Sequence, residues 1–394
     1  VDFALTDEQR ALADSVRSFL RDRFGLDQVR ASYEDTAGTG DPDVLRKAAA
    51  DSGWLAVLVP EEHDGLGLGL LDAGVLARAF GAGVAPGSWS TTLLAGEAIR
   101  LGGSADQQAT WLPRIAAAEA VATVALRGPG GSWSPAGVAV TAEGGRLTGT
   151  ANHVEYAHVA DVLVVAATEA DGVGLYLVAP DAAGVTVQVQ DGIDRTTRLS
   201  TVTFDGATGE RLTDSSAATL DGLAERGAVL AANDLAGIAR AALTMTIEYD
   251  KTRQQFGRPV GSFQAIKHHL ADLHVGVTMA EHAALYAGYA VDTDAADRAM
   301  AVSVAKVKAS DAALATTRAM IQYFGGIGFT WEHDAHFFFK RAQRLAYAYN
   351  DSDWHLDRLA QVWLDPLPAA SSVEPTGPTT SDATPTAQTA GVAV

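Results

Sequence analysis

Apolar residues recur at helical spacing from the start of the chain: Leu12, Val16, Phe19 and Leu20 follow Thr6-Asp7-Glu8-Gln9. Thr6 reads as the N-cap of that helix and Gln9, three residues on, as its capping-box partner. Gly53 to Leu70 breaks the period with glycines that let the backbone turn, so a loop is expected, with Trp54 in the core and His63 on the surface. Near Ala122 the period changes to two. Val138–Thr141, Val162–Val165, Leu175–Val178 and Val185–Val189 are short β-branched runs parted by glycine, aspartate and proline, the pattern of antiparallel strands. From Ala217 to Leu364 helical spacing returns, with alanine-rich stripes over Ala228–Tyr249 and Ala301–Gly325, and four long helices with short connections predict a bundle. The expected fold is α+β, mainly α. It comprises a helical N-terminal domain (1–121), an antiparallel β middle domain (122–213), a C-terminal four-helix bundle (214–365) and a disordered, proline- and threonine-rich tail (366–394). No internal repeat is visible.

Charge narrows the partners. A net charge of -19 over 394 residues, with a pI near 4.8, repels phosphodiester backbones and anionic headgroups, so neither nucleic acid nor a membrane surface is expected. The lack of cysteine removes disulfides, thiolate nucleophiles and cysteine-ligated metals, and a cytoplasmic location is expected. No basic-then-apolar leader is seen, and no apolar run approaches the roughly 18 residues of a membrane helix. His268, His269 and His274, and His333 with His336, read as surface histidines without a metal, since no zinc-protease spacing accompanies them. Ser262 lacks a nucleophile elbow, Gly65-Leu-Gly67-Leu-Gly69 follows no buried strand, and Asp351-Ser-Asp353 reads as a cap or turn.

The chemistry concentrates between Tyr249 and Asp272. Leu243 and Ile247 before, and Ile266, Leu270 and Leu273 after, place two helices around a break at Gly257 and Pro259. Arg253, Phe256 and Gln264 then meet at one corner. A guanidinium grips phosphate oxygens, an aromatic offers a flat apolar surface, and an amide serves a ring edge. That set suits a dinucleotide; an ordinary helix-loop-helix with surface charges is the alternative.

The run RQQFGRPVGSFQAIKHHLADL closely resembles the acyl-CoA dehydrogenase family, in which this arginine, phenylalanine and glutamine contact the FAD of a neighbouring subunit. Gln322-Tyr-Phe-Gly-Gly-Ile-Gly328 resembles the family's second flavin-contacting segment, implying roles for Gln322, Gly325 and Gly326. Weaker likeness extends over roughly residues 3 to 363. The resemblance implies FAD as cofactor, an acyl-CoA substrate, α,β-dehydrogenation and an electron-accepting flavoprotein. It also departs from the family at three places. The family's ring-contacting loop becomes Leu126–Trp133, and the strand that carries its tryptophan and threonine becomes His153-Val-Glu-Tyr-Ala157. Asn350 stands where many members carry the catalytic glutamate, and asparagine cannot accept the α-proton; Asp351 is adjacent but shorter and shifted. A second family arrangement puts the glutamate before an arginine on an earlier helix, which makes Glu225 of Glu225-Arg226 a candidate base, two residues out of register; Glu248 is a poorer one.

Three readings stay open: a homo-oligomeric enzyme using Glu225; a base-deficient subunit of a hetero-oligomer, slightly favoured because one cause covers three departures; and a non-catalytic scaffold that has lost FAD.

Overall fold

The computed structural model describes residues 4–364, so the tail expected at 366–394 lies outside the described residues. Six helices open the chain: α1 (Asp7–Arg23), α2 (Leu26–Glu34), α3 (Asp43–Asp51), α4 (Leu70–Ala82), α5 (Trp89–Gly102) and α6 (Ala105–Ala116). The capping box forms on α1, Thr6 Oγ1 accepting from Gln9 N at 3.2 Å while Thr6 N donates to Gln9 Oε1 at 3.1 Å. Val16 and Leu20 then face the core. Trp54 is buried edge-on between Phe19 and Phe80, and its Nε1 donates to Ser15 Oγ at 2.9 Å. His63 sits in a short 3-10 turn, Glu61–His63.

Eight strands follow: β1 (Ala122–Ala125), β2 (Val140–Glu143), β3 (Arg146–Glu155), β4 (Val162–Glu169), β5 (Gly172–Val178), β6 (Val185–Val189), β7 (Leu199–Thr208) and β8 (Glu210–Arg211). The sheet order is β6-β7-β3-β2-β4-β5-β8, with β1 on β4. Most pairings are antiparallel, but β1 runs parallel to β4 and β2 touches β4 in parallel at Thr141 and Thr168. The excursion through β2 and β3 returns the chain beside β1 in the same direction, which period-two patterning cannot foresee. Val162, Val164 and Ala166 join the core shared with the helices, while Leu163, Val165 and Ala167 build a second core on the far face. Burial on both faces explains why β4 reads as a continuous apolar run.

The C-terminal part contains α7 (Ala217–Thr252), a hairpin of β9 (Gln254–Gln255) and β10 (Arg258–Pro259), α8 (Gln264–Asp292), α9 (Arg298–Phe324), α10 (Ala335–Tyr347) and α11 (Ser352–Leu364). Three helices are long, at 36, 29 and 27 residues; the fourth place in the bundle is taken by the 13-residue α10 packed on α7 and α9. The buried Asp234–Arg341 pair, at 2.6 Å, bolts α10 to α7. By length and composition α7 passes for a membrane span, contrary to the expectation that no run would, but 78% of its most apolar window is buried within the molecule.

Candidate functional site

The last turn of α7, the β9–β10 hairpin and the first turn of α8 form one corner, and the end of α9 is tied to it. Tyr249 stacks on Phe324 at 4.3 Å, and His269 Nδ1 hydrogen-bonds the Tyr323 hydroxyl. Val260 N donates to Arg253 O at 2.8 Å, closing the hairpin. Its two loop residues, Phe256 (φ 53°) and Gly257 (φ 77°), both take the left-handed conformation that a tight two-residue hairpin requires. Glycine does so without cost, whereas a bulky aromatic is strained there. Phe256 is nonetheless 92% exposed. Arg253, Gln264, Gln322, Gly325 and Gly326 are exposed as well, and among the described residues no ion pair engages Arg253. A Cβ added at Gly325 or Gly326 would meet nothing within 4 Å. All six residues are thus exposed, on two segments that the Tyr249–Phe324 stack and the His269–Tyr323 hydrogen bond hold together, with open space before the two glycines.

The two candidate base positions lie elsewhere. Glu225 is buried on α7, and its oxygens face Arg358 at 2.8 Å and Arg298 at 3.3 Å. A solvated Glu225–Arg226 pair is not formed: Glu225 is buried and Arg226 turns away to Glu97 at 2.8 Å. Glu225 lines a cavity of about 610 Å³ with Trp133, Arg298, Tyr349, Asn350 and Trp354. One turn earlier, burial raises the carboxyl of Asp221, against the pull of Arg358 and aided by the charge of Glu225. Glu248 lies on the surface, paired with Lys251 at 2.6 Å.

Asn350 (φ 71°) follows Tyr349 (φ 54°) in a left-handed turn after α10. Its Oδ1 accepts from Trp133 N at 3.1 Å, and the Trp133 ring packs on Tyr349 at 4.4 Å. Tyr349 presses on Gly227 of α7, where any Cβ would come within 2.2 Å of the ring. Buried Lys306 holds the turn by donating to Ala346 O at 2.8 Å and Asn350 O at 3.1 Å, and His355 Nε2 bonds Tyr349 O at 3.0 Å. Asp351 caps α11, accepting from Trp354 N at 3.0 Å.

For the FAD that the sequence resemblance implies, the two halves of the site differ in fit. The outward corner fits: an unpaired guanidinium, a displayed aromatic, two amides and open glycines. The inward residues are for the most part engaged with one another instead. In the segment that departs from the family's tryptophan and threonine, His153 meets Arg127 at 3.3 Å and Glu155 meets Arg344 at 3.0 Å. Arg344 also binds Asp194 at 2.7 Å and Thr197 Oγ1 at 2.8 Å, and Arg127 lies over the Trp133 ring. Two donors are left over: Arg127 Nε and Trp133 Nε1 are buried without a hydrogen-bond partner among the described residues. Lys306, Trp133 and Tyr349 escaped the sequence reading. The one available signal was Lys306 itself, set within the apolar stripe of Val302, Ala305 and Ala309.

The histidines hold internal contacts: His274 with Arg240 Nη1 at 3.2 Å, His333 with Ala335 N at 3.1 Å, and His336 stacked on Trp331. Among the described residues no three His, Cys, Asp or Glu side chains cluster as metal ligands.

Residues 6–119 match the family model of the acyl-CoA dehydrogenase N-terminal domain, and residues 220–362 that of its C-terminal domain. Acyl-CoA dehydrogenase IpdE2 of Mycolicibacterium smegmatis is 31% identical over 342 residues, spanning 87% of this chain and 94% of its own. Acyl-CoA dehydrogenase FadE27 of Mycobacterium tuberculosis is 31% identical over 380 residues, spanning 92% and 98%. A variant of the Tcur3481–Tcur3483 steroid ACAD superposes with a TM-score of 0.84 at 30% identity, covering 91% of this chain and 98% of that one. The ChsE4–ChsE5 complex from Mycobacterium tuberculosis does so with a TM-score of 0.86 at 26% identity, covering 94% and 100%. Two matched domains in the right order, full-length relatives and the shared fold agree, and the chain belongs to the acyl-CoA dehydrogenase family.

Proposed function

We propose that this chain is the base-deficient subunit of a heteromeric acyl-CoA dehydrogenase. It grips the FAD of a related, complete subunit through Arg253, Phe256, Gln264, Gln322, Gly325 and Gly326. The flavin supplies hydride acceptance for α,β-dehydrogenation of an acyl-CoA thioester, and an electron-accepting flavoprotein regenerates it. The observation that carries this reading is the turn at Asn350. Its amide is bound to the Trp133 backbone and its neighbour Tyr349 is packed on the Trp133 ring, so the usual base position offers an asparagine already engaged by the chain's own loop. The corner, by contrast, keeps its polar groups turned outward, which is useful only to a cofactor shared across an interface. The ChsE4–ChsE5 structure, a complex of two chains, supports a heteromeric partner of the same family. The steroid ACAD at 30% identity supports a steroid-derived thioester as the substrate class.

The chain purified alone is expected to show no flavin band near about 450 nm and no turnover. Joined by the complete subunit, it should give a yellow complex that bleaches with substrate. Stoichiometric flavin and bleaching in the isolated chain would instead establish the second reading, a homo-oligomeric enzyme. That reading rests on one fact, that Glu225 lines the 610 Å³ cavity. A complex that stays colourless would leave the scaffold alternative.

A further inference from the structure

Asp250 lies on α7 one turn before Arg253 and is only 1% exposed. Both of its carboxylate oxygens, and Oγ of Ser262 beyond the hairpin, are buried without a hydrogen-bond partner among the described residues. Folded chains rarely carry a buried carboxylate with no donor, and one that persists calls for an explanation. Asp250 and Ser262 border a groove of about 730 Å³ whose walls include Ile247, Pro259, Leu270 and Val275. The chain's own cations do not serve it. Lys251 is drawn to Glu248 at 2.6 Å, His274 faces Arg240 at 3.2 Å, and Lys267 lines the groove without bonding the carboxylate. On the α9 side, the Tyr323 hydroxyl is engaged by His269.

The chemistry of the missing donor follows from the lining. Two carboxylate oxygens and a hydroxyl accept hydrogen bonds from a head group with several donors, and the carboxylate favours a cation. Apolar walls suit an aliphatic stem. Arginine meets both needs, its planar fork matching a carboxylate bidentately. The groove also begins where the cofactor corner ends, since Asp250 precedes Arg253 by three residues and Ser262 precedes Gln264 by two. Along α8 the exposed Val275 and Met279, at 57% and 51%, continue the apolar surface away from it.

We propose that this groove receives an arginine of the flavin-bearing partner subunit, its stem along Ile247, Leu270 and Val275 and its guanidinium on Asp250 and Ser262. The proposal rests on the heteromeric reading above and adds a device for partner choice. A subunit offering a neutral side chain there leaves a carboxylate buried and unpaired, which penalises the wrong pairing. In the chain by itself burial pushes the Asp250 carboxyl up to about 6, as befits an acid still waiting for its cation.

Two measurements test it. Millimolar n-butylguanidinium, a stem and head of the right shape, should raise the melting temperature of the purified chain, while neutral N-butylurea should not. Asp250→Asn should abolish that response, and equal responses in wild type and variant would overturn the proposal. In the second, Asp250→Asn should melt higher than wild type when alone, yet weaken assembly with the complete subunit at least tenfold. Flavin per assembled complex should stay unchanged, because the corner is intact. Unaltered assembly overturns the proposal, and so does a wild-type self-dimer that Asp250→Asn dissociates, since the occupant would then be a second copy. Failure of any complete subunit to restore flavin would sink the heteromeric reading separately, and the n-butylguanidinium result would still stand by itself.

Discussion

Both oxygens of Glu225 face guanidinium groups: Oε1 accepts from Arg358 at 2.8 Å and Oε2 forms an ion pair with Arg298 at 3.3 Å. A general base needs a lone pair free to meet the proton it removes, in the geometry of the reacting complex. Glu225 instead ties the N-terminal part of α7 to α9 and α11. Glu225→Gln is therefore expected to change dehydrogenation by the heteromer less than about twofold, where loss of a general base costs about 10²–10⁴. Its cost should fall on stability, about 1–2 kcal/mol, because the two arginines are partly exposed and lose only part of their compensation. Dye-reduction kinetics and urea unfolding of the same variant separate the two outcomes.

At the scale of elements, the end of α10 is shaped by Lys306, whose ammonium caps carbonyls of the Ala346–Asn350 turn. Burial lowers its pKa to about 7, with Asp351 pulling the other way. Between about pH 7 and the unfolded value near 10.5 the unfolded chain binds more protons than the folded one, so this group makes stability rise with pH across that window. Lys306→Met is expected to remove that slope, read from urea midpoints at pH 7 and pH 9.5. The hairpin corner behaves differently because its residues face solvent. Arg253→Ala should leave the isolated chain's stability within about 0.5 kcal/mol of wild type. In the heteromer it should weaken flavin retention at least about tenfold, the scale of a lost charge-assisted phosphate contact of about 1.5–3 kcal/mol. Flavin release on dilution measures this directly.

For the whole molecule, the heteromeric proposal predicts a composition. On the proposed reading, in which this chain lends a corner to its partner's flavin and holds none itself, the heteromer should carry one FAD for every two chains. Absorbance ratios combined with light scattering give the number, and one FAD per chain would contradict it. A chain of net charge -19 also needs local cations to meet an anionic cofactor, and Arg253 and Arg258 supply them at the hairpin.

What the sequence determined by itself was whatever depends on near neighbours. The Thr6–Gln9 capping box closes over three residues, the runs of β4, β5 and β6 show in their β-branched patterning, and Gly257 with Pro259 marks the hairpin. The hairpin half of the corner, from Arg253 to Gln264, spans 12 residues and can be read locally, whereas Gln322, Gly325 and Gly326 reach it only through the Tyr249–Phe324 and His269–Tyr323 contacts. Tertiary structure alone decided the rest. Trp133 meets Asn350 across 217 positions and Arg358 meets Glu225 across 133, so no periodicity reports either contact. Lys306, inside an alanine-rich helix, looks like a surface charge until the turn after α10 supplies carbonyls above it. The parallel pairing of β1 with β4 depends on the path of the intervening chain, and the fourth bundle helix could be short because Asp234 and Arg341 anchor it in the core. Patterning specifies which face of an element is buried; what that face meets is set by packing between elements remote in the chain.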